Sequence, residues 1–512
     1  MALMNAALSA LTPNMILYLM NEYHMDMTTG SNIMFIWSAA TDFAPVVAAF
    51  MADAYVGRFQ MIGLGSVVTL LVHPRFGLPV HASVPVGPGR EGSVRVGKSP
   101  TLVGEWTVIP QARPPPCVSS NNICRSSDML QFFFLCFSLG ITAIGDGAIK
   151  SSSLAFGPDQ LTREVYHGNA RAMERYFSWY YALYALSLLV ALTCLVYIQV
   201  NMGWDLGFGA PVLLMLFSTV LIYLGTPFYV KLKPKSSLIT GLFQVIVASY
   251  RNRCLRLSSQ SADILYHQKR GSAIVLPIVF SINLSQNSFP VLQATTMDRH
   301  IGSSFEIPAG SFGLFGVISA ILWLVLYDCL ILPIASKLSG KPTHFSTKER
   351  MGFGLFLSFL SVLVVAAVEG VRRSVAIKEG YSDDPQGVIP MSAIWLLPQN
   401  CLTGVAVAVH AIGQNEFYIS EFPRSMSSVA SAVLGVSSGV GSLLASFVMS
   451  TIHNLTKRGG AESWVSSNVN KGHYDYYYLV LAGFSLVNIL CYVVCCRAYG
   501  PCKGEVKEEE KS

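Results

Sequence analysis

Twelve runs of apolar residues divide this chain of 512 residues, and most are about as long as a membrane is thick. An α-helix needs about 20 apolar residues to cross a hydrocarbon core of ~30 Å. The runs lie at 2–22, 31–52, 59–73, 130–150, 177–199, 207–229, 273–293, 312–336, 351–371, 391–413, 427–451 and 475–496. Every backbone N–H and C=O in hydrocarbon must be bonded within the protein, so such runs fold as helices. The expectation is an all-α multi-pass membrane protein of about twelve helices. Hydrophobic residues make up 52% of the chain and charged residues 12%. Soluble domains carry about 25% charged residues, so these charges are too few to cover a water-facing surface of this size.

The basic residues lie in loops between apolar runs. The net charge of +6 therefore implies no nucleic-acid face, which needs basic residues collected on one surface with aromatics among them. Met1 to Leu19 lacks a basic flank and contains Pro13; it reads as a first membrane helix rather than a cleavable signal. The eleven Cys are scattered without zinc spacing. Cys117 and Cys124 share one predicted outer loop, where a disulfide is chemically allowed.

The longest central break, 230–272, divides the runs six and six. It carries Lys231, Lys233, Lys235, Arg251, Arg253, Arg256, Lys269 and Arg270 against Asp263. The positive-inside rule places this loop in the cytoplasm, together with the Lys337–Arg350 loop and both termini. The expected organisation is an N-terminal six-helix half over 1–229, the central loop at 230–272, a C-terminal half over 273–496 and a cytoplasmic tail at 497–512. An irregular insert occupies about 74–113. It follows a third run of only 15 residues, and its loop carries several Arg on the predicted outer side. An altered segment explains both anomalies. On this map Asn454 starts a glycosylation triplet in an outer loop.

Gly92–Ser99 fits the P-loop pattern, but Pro100 follows at once and no strand–loop–helix surrounds it. No hydrolase or metalloprotease motif is present, and no cofactor other than a coupling proton is expected. Asp53-Ala-Tyr-Val-Gly57-Arg58 joins two apolar runs. Gly57 permits the sharp turn, while Asp53 and Arg58 can pair with neighbouring helix ends, as a latch expected to hold the two halves. In the fourth run Asp146 and Lys150 are four residues apart and share a helix face. A charge at membrane depth costs a few kcal/mol and points to function. Lys150 reads as a cation facing a cavity, and Asp146 as its structural partner. His410 is the titratable group in the middle of the tenth run, where a hydrogen-bonded structural role competes with proton relay. Tyr18, Tyr180, Tyr181 and Tyr184 are pore-lining candidates that packing explains equally well.

Several motifs together resemble a known family. Asp53–Arg58 resembles the loop signature of the major facilitator superfamily. Ile144–Lys150 followed by Leu154–Gln160 resembles the fourth-helix motif of proton-dependent oligopeptide transporters. Met297–Gly302 and Glu421–Met426 are similar to that family's plant nitrate/peptide branch. The resemblance covers nearly the whole chain except about 74–110. It implies the major facilitator fold, with two six-helix halves rocking about a midplane site. It also implies symport driven by protons, with Lys150 as the cavity lysine.

The chain departs from that pattern. The acidic motif of helix one would fall on Met1–Asn5, which holds no acid or base. The helix-ten Glu position is Val407, and a position where a nitrate-binding member has His is Asn283. The expectation is therefore a secondary active transporter of nitrate, peptide or another small organic solute, with coupling weakened or moved to His410. The alternative is a coupling-deficient or non-transporting membrane protein, such as a regulatory partner. The partners implied are a small-molecule substrate and the lipid bilayer. Homo- or hetero-oligomerisation stays open, as does the choice between plasma and internal membrane.

Overall fold

The computed structural model describes residues 1–71, 114, 127–161, 170–231, 275–302, 305–339, 346–421, 427–458 and 462–499. The P-loop-like stretch, Cys117, Cys124, 422–426, and nearly all of the insert and the central loop lie outside these residues.

The N-terminal helices are α1 (Ala2–Ser9), α2 (Met15–Asn21), α3 (Met27–Met51), α4 (Arg58–Leu71), α5 (Met129–Leu161), α6 (Ala170–Val190), α7 (Val196–Asn201) and α8 (Trp204–Leu224). The C-terminal helices are α9 (Val275–Leu284), α10 (Ser288–Thr295), α11 (Gly313–Leu326), α12 (Leu332–Ser339), α13 (Thr347–Lys378), α14 (Leu397–Glu421), α15 (Ser427–Thr456) and α16 (Tyr474–Tyr499). Single π-turns at Ala191–Leu195 and Tyr327–Ile331 join α6 to α7 and α11 to α12. Among the described residues nine helical stretches are long and apolar enough to span a bilayer, and α4 is a shorter apolar helix. Counting the broken pairs α1/α2 and α9/α10 as one crossing each gives the expected twelve.

Those two breaks correct the reading of 2–22 and 273–293 as continuous. Pro13 has no N–H and its ring would clash with the carbonyl of Ser9, so the helix stops. The freed groups are bonded within the protein: Gln199 Nε2 donates to Ala10 O at 2.9 Å, and Asn14 Nδ2 donates to Gln199 Oε1 at 3.0 Å. Pro290 similarly sits in the first turn of α10, where a missing N–H costs little. Local signals set other ends. Asp26 caps α3 by accepting from Thr29 N at 3.1 Å. Ser346 and Glu349 form a capping box at the start of α13.

The halves meet along an antiparallel seam between α3 and α15. Thr28 Oγ1 lies 3.0 Å from His453 Nδ1, Asn32 Nδ2 donates to Ser450 Oγ at 2.9 Å, and Ser446 Oγ donates to Asn32 Oδ1 at 2.8 Å. Ser442 Oγ donates to Ser38 Oγ at 3.3 Å. Ser311 Oγ reaches Leu192 O at 2.7 Å from the C-terminal half. At the predicted outer end, Met297–Asp298 (β1) pairs in parallel with Ile389–Ser392 (β4), and His300–Ile301 (β2) pairs antiparallel with Phe305–Glu306 (β3).

Asn454 is not in a loop. It is exposed in the last turn of α15, and the Thr456 hydroxyl of its triplet donates to Ile452 O at 2.7 Å. The outer-loop position expected for Asn454 is therefore corrected to a helical one.

Candidate functional site

A cavity of about 490 Å³ lies between the halves, within the usual range for small-molecule sites. The breaks at Pro13 and Asn287 both open onto it, as do Trp37 and Ser38 of α3, Tyr184 of α6 and Asn400 of α14. Interrupted helices suit this place, because loose backbone is tolerated at membrane depth where it lines a cavity.

The charges in the lining come from α5. Lys150 Nζ is 2.8 Å from Asp146 Oδ2, and the Lys150 side chain is 47% exposed while that of Asp146 is 8% exposed. Asp146 Oδ1 is buried without a hydrogen-bond partner. The lysine therefore spends one contact on its own helix and presents the rest of its ammonium to the cavity. An anionic group entering there would meet three N–H donors on one point charge. Among the described residues no group of three or more His, Cys, Asp or Glu could hold a metal ion.

The structure does not bring the other candidates to this cavity. Tyr18 is fully buried in an aromatic cluster with Tyr23, Trp204 and Phe208. Asn283 donates to Ser358 Oγ at 3.1 Å and Ser485 Oγ at 2.9 Å, tying α9 to α13 and α16. His410 is buried, with Nδ1 at 3.3 Å from Met351 O and its ring 4.0 Å from that of Phe280. Their helix faces point into the packing rather than the cavity, a rotation that residue type does not reveal. Of the tyrosines Tyr184 lines the cavity, while Tyr180 lies 3.0 Å from Ser153 Oγ.

The Asp53–Arg58 turn is built as expected but ties different parts. Gly57 has φ of 90°, open to glycine at little cost. Arg58 Nε is 3.3 Å from Asp53 Oδ1, and Arg58 Nη1 is 2.7 Å from Asp159 Oδ1 at the end of α5. Both partners belong to the N-terminal half. The described pairing braces α3, α4 and α5 together within the N-terminal half.

Two charge sites were missed, one half-buried and one fully buried. Asp42 lies in the middle of α3, beside Ser438 and within reach of the charges of Lys150 and Asp146. Glu369 and Arg372 form a fully buried pair in α13. All three stand inside or beside apolar runs, where the cost of a charge at membrane depth would have flagged them.

The sequence model of the POT family matches residues 102–275 and 272–465. Protein NRT1/ PTR FAMILY 1.2 of Arabidopsis thaliana is 40% identical over 557 aligned positions, covering 97% of this chain and 87% of that protein. The chain belongs to the POT family. A second relative of this POT transporter, protein NRT1/ PTR FAMILY 1.3 of Arabidopsis thaliana, is 36% identical and covers 98% of the chain and 94% of its own length. The fold matches the crystal structure of an auto-inhibited POT family peptide transporter with a TM-score of 0.67 at 16% identity, covering 97% of this chain and 95% of that one. A POT family transporter in complex with 5-aminolevulinic acid matches at 0.64 and 14% identity, over 98% and 95%. The resemblance read from the motifs is therefore correct. The fold is that of the major facilitator superfamily, and the protein is a multi-pass membrane transporter, not an enzyme.

Proposed function

We propose that this POT transporter is a proton-coupled symporter that moves a small solute with an anionic group by alternating access. The carrying observation is Lys150, held by Asp146 yet open to a cavity bounded by both halves. The other polar lining groups are neutral amides and hydroxyls, including Asn5, Asn287, Ser288 and Asn400. They suit an amide, nitrate or carboxylate and leave Lys150 as the charge that fixes orientation. The seam residues Asn32 and Ser38 bond across the halves on one side of the cavity, as expected for one closed gate of an alternating-access carrier. The names of the relatives, NRT1/ PTR FAMILY proteins, agree with nitrate or peptide as the first solutes to try. A nearly full-length match and a formed cavity do not favour a non-transporting role.

Uptake of nitrate, a dipeptide and an organic acid in oocytes, at acidic and neutral external pH with surface expression confirmed, tests the proposal. Faster uptake of one solute at acidic pH is expected. Flux independent of pH would remove proton coupling, and unchanged uptake by Lys150→Ala would remove that residue from the site.

A further inference from the structure

Three helices pack closely over Asp42–Pro45 of α3, because two of them present glycine there. A Cβ at Gly435 of α15 would lie 2.9 Å from the Asp42 carbonyl oxygen. A Cβ at Gly147 of α5 would lie 2.5 Å from Ala44 Cβ and 2.7 Å from the Ala44 carbonyl carbon. The backbone of α15 is therefore pressed against α3 at Asp42, and that of α5 at Ala44 and Pro45. Met34, Trp37, Ser38 and Thr41 of α3 line the cavity, and Asp42 follows one turn beyond Ser38 on the same face.

Asp42 also continues the seam between the halves. The pairs Asn32–Ser446, Ser38–Ser442 and Asp42–Ser438 step along α3 and α15 in opposite directions. The first two are neutral. Asp42 is the one acid between Met27 and Met51, and α15 contains none. The titratable and charged groups facing it among the described residues are Asp146 and Lys150 of α5. Tyr184 of α6 acts on Lys150, and α15 contributes the Ser438 hydroxyl.

Charge counting gives this cluster a function. With both acids ionised, Asp42, Asp146 and Lys150 sum to one negative charge at membrane depth. That charge repels an anionic solute, and it makes parting the seam expensive because an unpaired carboxylate would be left in a poor solvent. One proton on an Asp42 carboxyl oxygen makes the cluster neutral and removes both penalties.

We propose that Asp42 is the carboxylate that carries the coupling proton, in a chain whose helix-one segment Met1–Asn5 and position Val407 carry none. This deepens the symport reading and rests on it. Proton uptake by Asp42 leaves Lys150 and Asp146 balanced, so that an arriving anion meets an available ammonium. Neutral Asp42 can then leave Ser438 when the halves rock. Release of the proton on the other side restores the charged cluster.

The test is a pH titration of purified protein in lipid by difference infrared spectroscopy, which reads the protonated carboxyl stretch and needs no solute. A carboxyl band should appear as pH falls in the wild type and be missing in Asp42→Asn. It should persist in Asp146→Asn and return, shifted in frequency, in Asp42→Glu. Ser438→Ala and Lys150→Ala leave the carboxyl in place but remove a donor and a cation that favour its charged form. Each should move the band's midpoint to higher pH, by about one unit for Lys150→Ala. These two variants keep the proposal testable should Asp42→Asn fold poorly. A band that survives Asp42→Asn, or a midpoint unmoved by both Ser438→Ala and Lys150→Ala, overturns the proposal. pH-independent uptake by a wild type that still shows the Asp42 band would overturn symport while leaving the protonation site standing.

Discussion

Helices α5 and α13 each carry an acid and a cation within about one turn, and the surroundings of the two pairs differ in every respect. Lys150 and Asp146 share one contact of 2.8 Å, leaving the ammonium open to the cavity and Asp146 Oδ1 unbonded. Glu369 and Arg372 are fully buried and doubly joined, with Arg372 Nε to Glu369 Oε2 and Nη2 to Oε1 both at 2.7 Å. Arg372 also donates to Thr296 Oγ1, Asn470 Oδ1 and Val469 O, and Gln293 Nε2 donates to Glu369 Oε2 at 2.9 Å. One pair retains bonding capacity and can exchange partners. The other has almost none left, and it ties α10 and the 465–470 segment to α13. The same chemistry makes a site in one half and a fastening in the other, according to how many lone pairs and protons the neighbours use.

The comparison breaks first at the fastening. Arg372→Met alone leaves Glu369 unpaired, and a loss of about 3–5 kcal/mol is expected, read as a large fall in thermal unfolding temperature in detergent. Adding Glu369→Leu should recover most of it, since apolar replacement of a whole buried pair is often nearly neutral. Failure of the double variant to recover would mean that the pair does more than hold the fold. Lys150→Ala should show mainly in transport, lowering uptake about tenfold or more, as expected for a lost charged hydrogen bond, with a smaller fall in unfolding temperature than Arg372→Met, because Asp146 loses its partner beside an open cavity rather than in a closed core.

A smaller effect is expected at Asp26, which caps α3 at the predicted outer end. Burial pushes its carboxyl up, but hydrogen bonds from Thr29 and the nearby His453 outweigh this and hold it below the usual carboxylate range. Its cap is therefore complete above the ordinary carboxylate value and is lost as pH falls through the lowered one. Asp26→Ala should cost about 1 kcal/mol at neutral pH, and the difference from wild type should shrink in strong acid. The smallest change is expected at Asp298, which accepts from His300 Nδ1 at 2.7 Å and from His300 N at 3.1 Å on the exposed loop. The hydrogen bonds from His300 lower its carboxyl, so the tie again weakens only as pH falls. Asp298→Asn should leave uptake and the unfolding temperature nearly unchanged.

Much of the fold was legible because membrane crossing imposes a length and a composition on each helix. The twelve runs, the Gly57 turn, the Asp146–Lys150 pair and the family motifs could all be read along the chain. The interruptions at Pro13 and before Pro290 carried a local signal that the apolar count overrode. Which face each helix turns inward was far less legible, because lipid-facing and core-facing residues are both apolar. Tyr18, Asn283 and His410 looked like site residues by type, and the structure places them in helix packing away from the cavity.

The sequence by itself determined that this chain crosses a membrane many times, belongs to the POT family and places a cation in its fourth crossing. Those properties follow from local composition and spacing. Only the tertiary structure decided that Arg58 pairs with Asp159 at the end of α5, that Glu369 and Arg372 saturate one another, and that Asp42 of α3 stands beside Ser438 of α15. The physical reason is that the worth of a charge at membrane depth depends on the partners that reach it, and those partners come from helices up to hundreds of residues away.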